Sequence, residues 1–163
     1  MKPILKSMNR LLIVGTRQQH EHSENGPIPT IGEQWSTLSP RLAEIEGFHG
    51  ISLGISCFSD VADSRCIDYV AGALVETMPE SIPDGMQAAE LAPQMYAVFT
   101  HQGPLSGLTA TYGHIFHWLA ANGEYMQVNA PSFEWYDERY TGFDHVDSSF
   151  DIYSPVQPTG AVQ

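Results

Sequence analysis

One order of elements occurs twice in this chain, and it restricts the fold more than any single motif. Residues 10–18 (RLLIVGTRQ) read as a strand. An amphipathic helix follows, carried by Ile28, Ile31, Trp35, Leu38, Leu42 and Ile45. Thr30 and Glu33 have capping-box spacing at its start, and Pro40 should break it near Ser39. Two β-like runs come next, GISLGISCF and CIDYVAGALVET, with a polar turn at 59–65 between them. After a loop carrying the IPDGM turn signal, the order repeats. QMYAVFTHQG is a strand. Leu108, Tyr112, Ile115 or Phe116, and Leu119 mark a helix that Asn122-Gly123 stops, and SFEWYDERY and SFDIYSPV are strands.

Each half therefore reads strand-helix-strand-strand, a sheet too narrow to fold alone with one helix to cover it. Side by side, two such βαββ units make one antiparallel sheet with two helices on one face, an α+β fold. The helices leave a groove between them, floored by the middle of the sheet, and grooves of this kind hold ligands. The sequence predicts one domain over residues 1–156 and a disordered tail, QPTGAVQ, over 157–163. QHEHSENGP, after the first strand, reads as a flexible polar stretch.

Composition narrows the function classes. The net charge is -12, and beyond Arg65 the only basic side chain is Arg139. Such a surface repels phosphate backbones, which argues against direct nucleic acid binding. It suits cationic small molecules or a basic protein partner. No apolar run is long enough to span a bilayer, and MKPILKSMNRLLIVG reads as a first strand rather than a signal peptide, so a cytoplasmic location is expected. Cys57 and Cys66 could face each other across a hairpin, but two cysteines are not a disulfide framework and are taken as reduced.

Glu134 is the residue that asks for an explanation. It lies between Phe133 and Trp135, with Tyr136 next, and in a regular strand it shares a face with Tyr136. A carboxylate among rings is costly unless it is paired. It could reach water, pair with Arg139, or await a partner from outside.

The ordered motifs resemble the GyrI-like superfamily, the effector-binding domains of AraC-type and MerR-type multidrug-responsive regulators, which also occur as stand-alone proteins. The resemblance rests on Trp35, YVAGALV (69–75), IPDGM (82–86), YAVFTHQG (96–103), HWLAANG (117–123), FEWYDERY (133–140) and DIYSPV (151–156). It implies a duplicated fold whose groove binds amphipathic, aromatic cations, with a glutamate of the late strand as counter-charge. Carried over, the glutamate is Glu134 and the adjoining tyrosine is Tyr136. A carboxylate beside an aromatic wall attracts such cations by charge and by cation–π contact. Trp35, Tyr69, Phe99, Tyr112, Phe116, Trp118 and Tyr153 are further aromatics, each of which could equally be plain core. The best placed for the groove are Trp35 and Tyr112, one on each helix, followed by Phe99 and Trp118.

The sequence holds no helix-turn-helix segment, so the expected role is a sensor or a sequestering protein in drug response or transcriptional regulation. The resemblance also leaves room for two alternatives. One is hydrolysis of cyclopropanoid DNA-alkylating compounds, with Glu134 to orient or activate water and Tyr112 or Tyr136 as the acid. The other is an acidic protein-interaction module that binds gyrase or a regulator. An exposed sheet edge would allow a homodimer. No cofactor and no metal are expected: His114 and His117 sit three apart but lack convergent partners, and no catalytic role is assigned to His101.

Overall fold

The computed structural model describes residues 2–21, 28–57 and 66–161. In chain order the elements are β1 (Ile4–Met8), β2 (Leu11–Glu21), α1 (Pro29–Leu38), β3 (Ser52–Cys57), β4 (Cys66–Val75), β5 (Gln87–Leu91), β6 (Gln94–Gln102), α2 (Leu108–Ala121), β7 (Tyr125–Gln127), β8 (Ser132–Tyr136) and β9 (Ser149–Pro158). The sheet has nine strands in the order β1-β6-β9-β8-β3-β4-β2-β5, with β7 paired to β9, and every pairing is antiparallel. The two βαββ units are thus β2-α1-β3-β4 and β6-α2-β8-β9, joined where β3 meets β8.

The ladder registers make the duplication explicit. Cys57 lies opposite Asp68 in the first unit, and Trp135 lies opposite Asp151 in the second. Counting back from these pairs matches Ser56 with Glu134, Ile55 with Phe133, and Gly54 with Ser132. Between the units, Ile55 pairs with Phe133 itself, so the pseudo-twofold axis passes through that pair. Both side chains are buried there.

One row of side chains crosses six strands on the face that carries the helices: Thr16, Ala71, Gly54, Glu134, Ile152 and Phe99. Leu38 of α1 covers Tyr69 and Ala71 at one end, and Ile115 of α2 covers Phe99 and Ile152 at the other. Glu134 lies in the middle of the row, between the helices. The opposite face buries Ile13, Leu53, Ile55, Val70, Tyr96, Phe133 and Tyr153 in one cluster. Only Asn9 and Arg10 separate β1 from β2, although these strands lie towards opposite ends of the sheet. A link that short spans roughly 11 Å at most, so the sheet curls and its edges approach each other around this core.

Each helix is pinned at its start by the same device. His20 on β2 is buried, with Nδ1 2.8 Å from Thr30 Oγ1 and Nε2 2.6 Å from Gln34 Oε1. His101 on β6 is buried too, with Nδ1 2.7 Å from Thr111 Oγ1 and Nε2 3.0 Å from the Pro104 carbonyl. In both units the histidine lies opposite the residue that precedes the aspartate, Ile67 and Phe150. An amide or backbone carbonyl oxygen only accepts, so each Nε2 carries a proton and donates it. Burial of an imidazole is tolerable because both nitrogens have partners.

Several expectations change. Thr30 makes no capping box; Ile28 precedes the helix without a side-chain cap, and the Thr30 hydroxyl serves His20 instead. Pro29 at the first turn suits a helix start, and Pro40 ends the helix in a 3-10 turn over Ser39–Glu44, as its missing N–H requires. β2 runs to Glu21, so His20 lies inside a strand rather than in the flexible stretch; the rest of that stretch, 22–27, and the turn at 59–65 fall outside the described residues. The region after IPDGM is not only loop, because Gln87–Leu91 pairs with β2 as β5. SFEWYDERY is a strand only to Tyr136. Cys57 pairs with Asp68 and Cys66 with Glu21, so the cysteines do not face each other; both are free thiols. In the tail, Gln157 and Pro158 pair with Met126 and Tyr125, and the Thr159 hydroxyl donates to the Gly123 carbonyl at 2.9 Å, while 162 and 163 fall outside the described residues.

Candidate functional site

The alternation of β8 sends Phe133 and Trp135 into the opposite core and leaves Ser132, Glu134 and Tyr136 on the helix side. Tyr136 then stands two residues from Glu134 and donates its hydroxyl to Oε1 at 2.9 Å. Tyr112, on the first half of α2, reaches over from the helix and donates to Oε2 at 3.0 Å. From the other side, Trp35 of α1 packs edge-on against Tyr136, with ring centroids 5.6 Å apart. Tyr136 also contacts Tyr140 and Phe150 at 4.9 and 4.8 Å.

Glu134 is half-buried among these rings. Burial lifts its carboxyl above the ordinary range, and the two tyrosine hydroxyls oppose that shift only in part. The tyrosines respond in the same way. Burial, reinforced by the nearby carboxylate, holds the Tyr69, Tyr112 and Tyr136 hydroxyls protonated far above neutral pH. They are therefore dependable donors. Among the described residues no Lys, Arg or His forms an ion pair with Glu134. Arg139, the one protein cation that the sequence offered, is held instead between Asp137 and Asp151, at 2.9 and 2.8 Å.

Sequence reasoning missed Gly54. It lies directly opposite Glu134, and a Cβ there would overlap the Tyr69 hydroxyl and fall 2.9 Å from its Cζ. The glycine therefore lets Tyr69 lean from β4 across β3, where Trp35 Nε1 donates to its oxygen at 2.9 Å. A glycine inside a strand signals such a close approach without naming the group that makes it. Tyr69 was among the aromatics considered, and this contact ties it to the floor.

The structure thus links four of the six expected residues, Trp35, Tyr112, Glu134 and Tyr136, by direct contacts. It does not bring the other two into that set. Phe99 is fully buried beneath α2, and Trp118 packs edge-on against it at 5.7 Å and stacks on Tyr125. Two shallow recesses, of about 490 and 300 Å³, lie beside α1 next to Gln18 and do not include Glu134. His114 and His117 lie on the exposed side of α2, and His101 is the buried helix pin already described. No helix among the described residues is long and apolar enough to cross a membrane.

Comparison with known proteins agrees with this architecture. BrlR, a transcriptional regulator of Pseudomonas aeruginosa, is 33% identical over 139 residues, covering 83% of this chain and 50% of BrlR; the chain spans half the length of that relative. SAV2435, solved bound to tetraphenylphosphonium, has the same fold at 20% identity and a TM-score of 0.73, over 96% of this chain and 94% of that one. EcmrR, solved by cryo-EM in a DNA complex, superposes with a TM-score of 0.69 at 15% identity, over 96% of this chain and 57% of that one. Residues 1–157 match the GyrI-like small molecule binding domain, and the chain belongs to that family.

Proposed function

We propose that this domain binds amphipathic, aromatic cations between its two helices, with Glu134 as the counter-charge, and that it senses or sequesters such compounds in drug response or transcriptional regulation. The observation that carries this reading is a ring-enclosed, half-buried carboxylate whose oxygens, among the described residues, are held by the neutral hydroxyls of Tyr112 and Tyr136 and by no cation. A group so placed has lost much of its hydration on folding and has gained no counter-ion among the described residues. An incoming cation therefore meets a preformed anion, and at 4 Å in a medium of effective dielectric 20 the attraction is about 4 kcal/mol. The rings of Trp35 and Tyr136 add cation–π contact. Tyr112 is the cap on the solvent-facing helix; its hydroxyl must yield, or share Oε2, when the ligand arrives. The cation held by SAV2435 and the regulatory role of BrlR support the same reading.

The test is a fluorescence titration of a rhodamine-type dye into wild type and Glu134→Gln, with recovery of the dye afterwards. Saturable one-to-one binding is expected, with affinity at least tenfold weaker in the variant and the dye chemically unchanged. Equal binding by both proteins would remove Glu134 from the site, and consumption of excess compound would favour a hydrolase.

A further inference from the structure

Tyr69 differs from the other tyrosines of the floor in what it does with its proton. Tyr112 and Tyr136 both donate to Glu134. Tyr69, only 2% exposed, accepts from the Trp35 indole, and an indole N–H can only donate. The Tyr69 O–H is left without a protein acceptor among the described residues, whereas buried donors are almost always paired because an unpaired one costs about 1–3 kcal/mol. Its oxygen rests over Gly54, whose cross-strand partner is Glu134, and such partners have Cα atoms about 4.5–5.5 Å apart. Ser56 and Ser132, the next pair on this face of the same ladder, add two hydroxyl side chains to that end of the floor.

We infer that the site is bipartite and selects aromatic cations that also carry a hydrogen-bond acceptor, an ester, amide or ether oxygen or a ring nitrogen, close to the charged centre, with Tyr69 as the donor to it. Glu134 takes the charge and Tyr69 takes the acceptor. Gly54 sets the spacing, because any side chain there would displace the hydroxyl. The inference rests on the proposed binding of cations at Glu134 and adds a rule of ligand selection to it.

A matched pair of probes tests it: a triphenylphosphonium cation with an arm ending in a methyl ester, and the same cation with an alkyl arm of equal length. Both are titrated calorimetrically into wild type and Tyr69→Phe, whose folding is checked by thermal melt. Wild type should prefer the ester by about tenfold, the worth of one buried hydrogen bond. In Tyr69→Phe that ratio, which compares the two probes on the same protein, should fall below about twofold. Equal binding of both probes by wild type would overturn the inference and leave the Glu134 reading standing, and that ratio decides alone should the variant fail to fold. A preference that survives Tyr69→Phe would also overturn it. Failure of wild type to bind either cation would withdraw the Glu134 reading and this inference together.

Discussion

The two βαββ units share a frame and differ at the floor. Both pin the helix start with a buried histidine and a threonine ten residues later, His20 with Thr30 and His101 with Thr111. Both place an aspartate at the matching point of the last strand, and each aspartate is paired with an arginine on the far face, Asp68 with Arg17 and Asp151 with Arg139. At the floor the match ends. The first unit has Ser56 where the second has Glu134, and Gly54 where the second has Ser132. Aligning the threonines puts Ile31 opposite Tyr112, and Trp35 opposite the exposed Phe116. The frame is symmetric because each unit must hold a helix on its part of the sheet. The floor is asymmetric because only the second unit carries a carboxylate there, which is what the proposed binding of a single ligand charge requires. Each unit brings different parts to it: the second gives the carboxylate and its two hydroxyl donors, and the first gives an aromatic wall, a third hydroxyl and the glycine that admits it.

The largest effect should come from the axis itself. Phe133→Ala empties a fully buried position beside Tyr96 and Tyr153, whose rings lie 5.0 and 4.4 Å away. Urea denaturation should show a loss of about 3–5 kcal/mol, with Ile55→Ala costing about 2–5 kcal/mol. Because the pair joins the units, each variant should unfold in one transition. Two separate transitions would show that the halves are independent.

The pins come next. His20→Leu and His101→Leu each leave buried hydroxyl or carbonyl groups without a partner, and should each cost about 1–3 kcal/mol. The two sites belong to different units, so the double variant should lose the sum to within about 0.5 kcal/mol. A loss at one site only would mean that the pins are alike in geometry but not in energy.

The matched floor positions give the sharpest contrast. Gly54→Ala drives a methyl into the Tyr69 hydroxyl and should destabilise by about 1–3 kcal/mol, read as a lower melting temperature. Ser132→Ala, its partner by symmetry, meets no such neighbour and should stay within about 0.5 kcal/mol of wild type. Comparable effects would show that Gly54 is not shaped around Tyr69.

Legibility followed the range of the interactions. The doubled order of elements, the kink at Pro40 and the stop at Asn122 were readable because they depend on local chemistry: spacing, a missing N–H, and a side chain that caps its own helix. Asn122 does this with Nδ2 on the Trp118 carbonyl at 3.0 Å. Glu134 and Tyr136 were readable as a pair because strand alternation puts residues two apart on one face. Trp35 and Tyr112 could be put on helices but not aimed at the floor without the sheet between them. β5 was hidden because QAAEL has little β character and is a strand by virtue of its pairing with Leu11–Gly15. His20 was hidden for a related reason: a polar run reads as loop until Gln34 and Thr30, far along the chain, satisfy the ring. Gly54 and Tyr69 depend on a contact between two neighbouring strands, β3 and β4, which no local pattern records.

The central claim is that Glu134 acts as an anion toward a cation held between the two units. The most direct measurement is the dissociation constant of tetraphenylphosphonium across a pH series, for wild type and Glu134→Gln. The carboxyl titrates above the ordinary range near 4.5 because it is buried. As pH falls through that raised value the group becomes neutral and the counter-charge is lost, so wild-type affinity should fall on acidification while the variant stays weak at every pH. A variant that binds as tightly as wild type, with the same dependence on pH, would contradict the account.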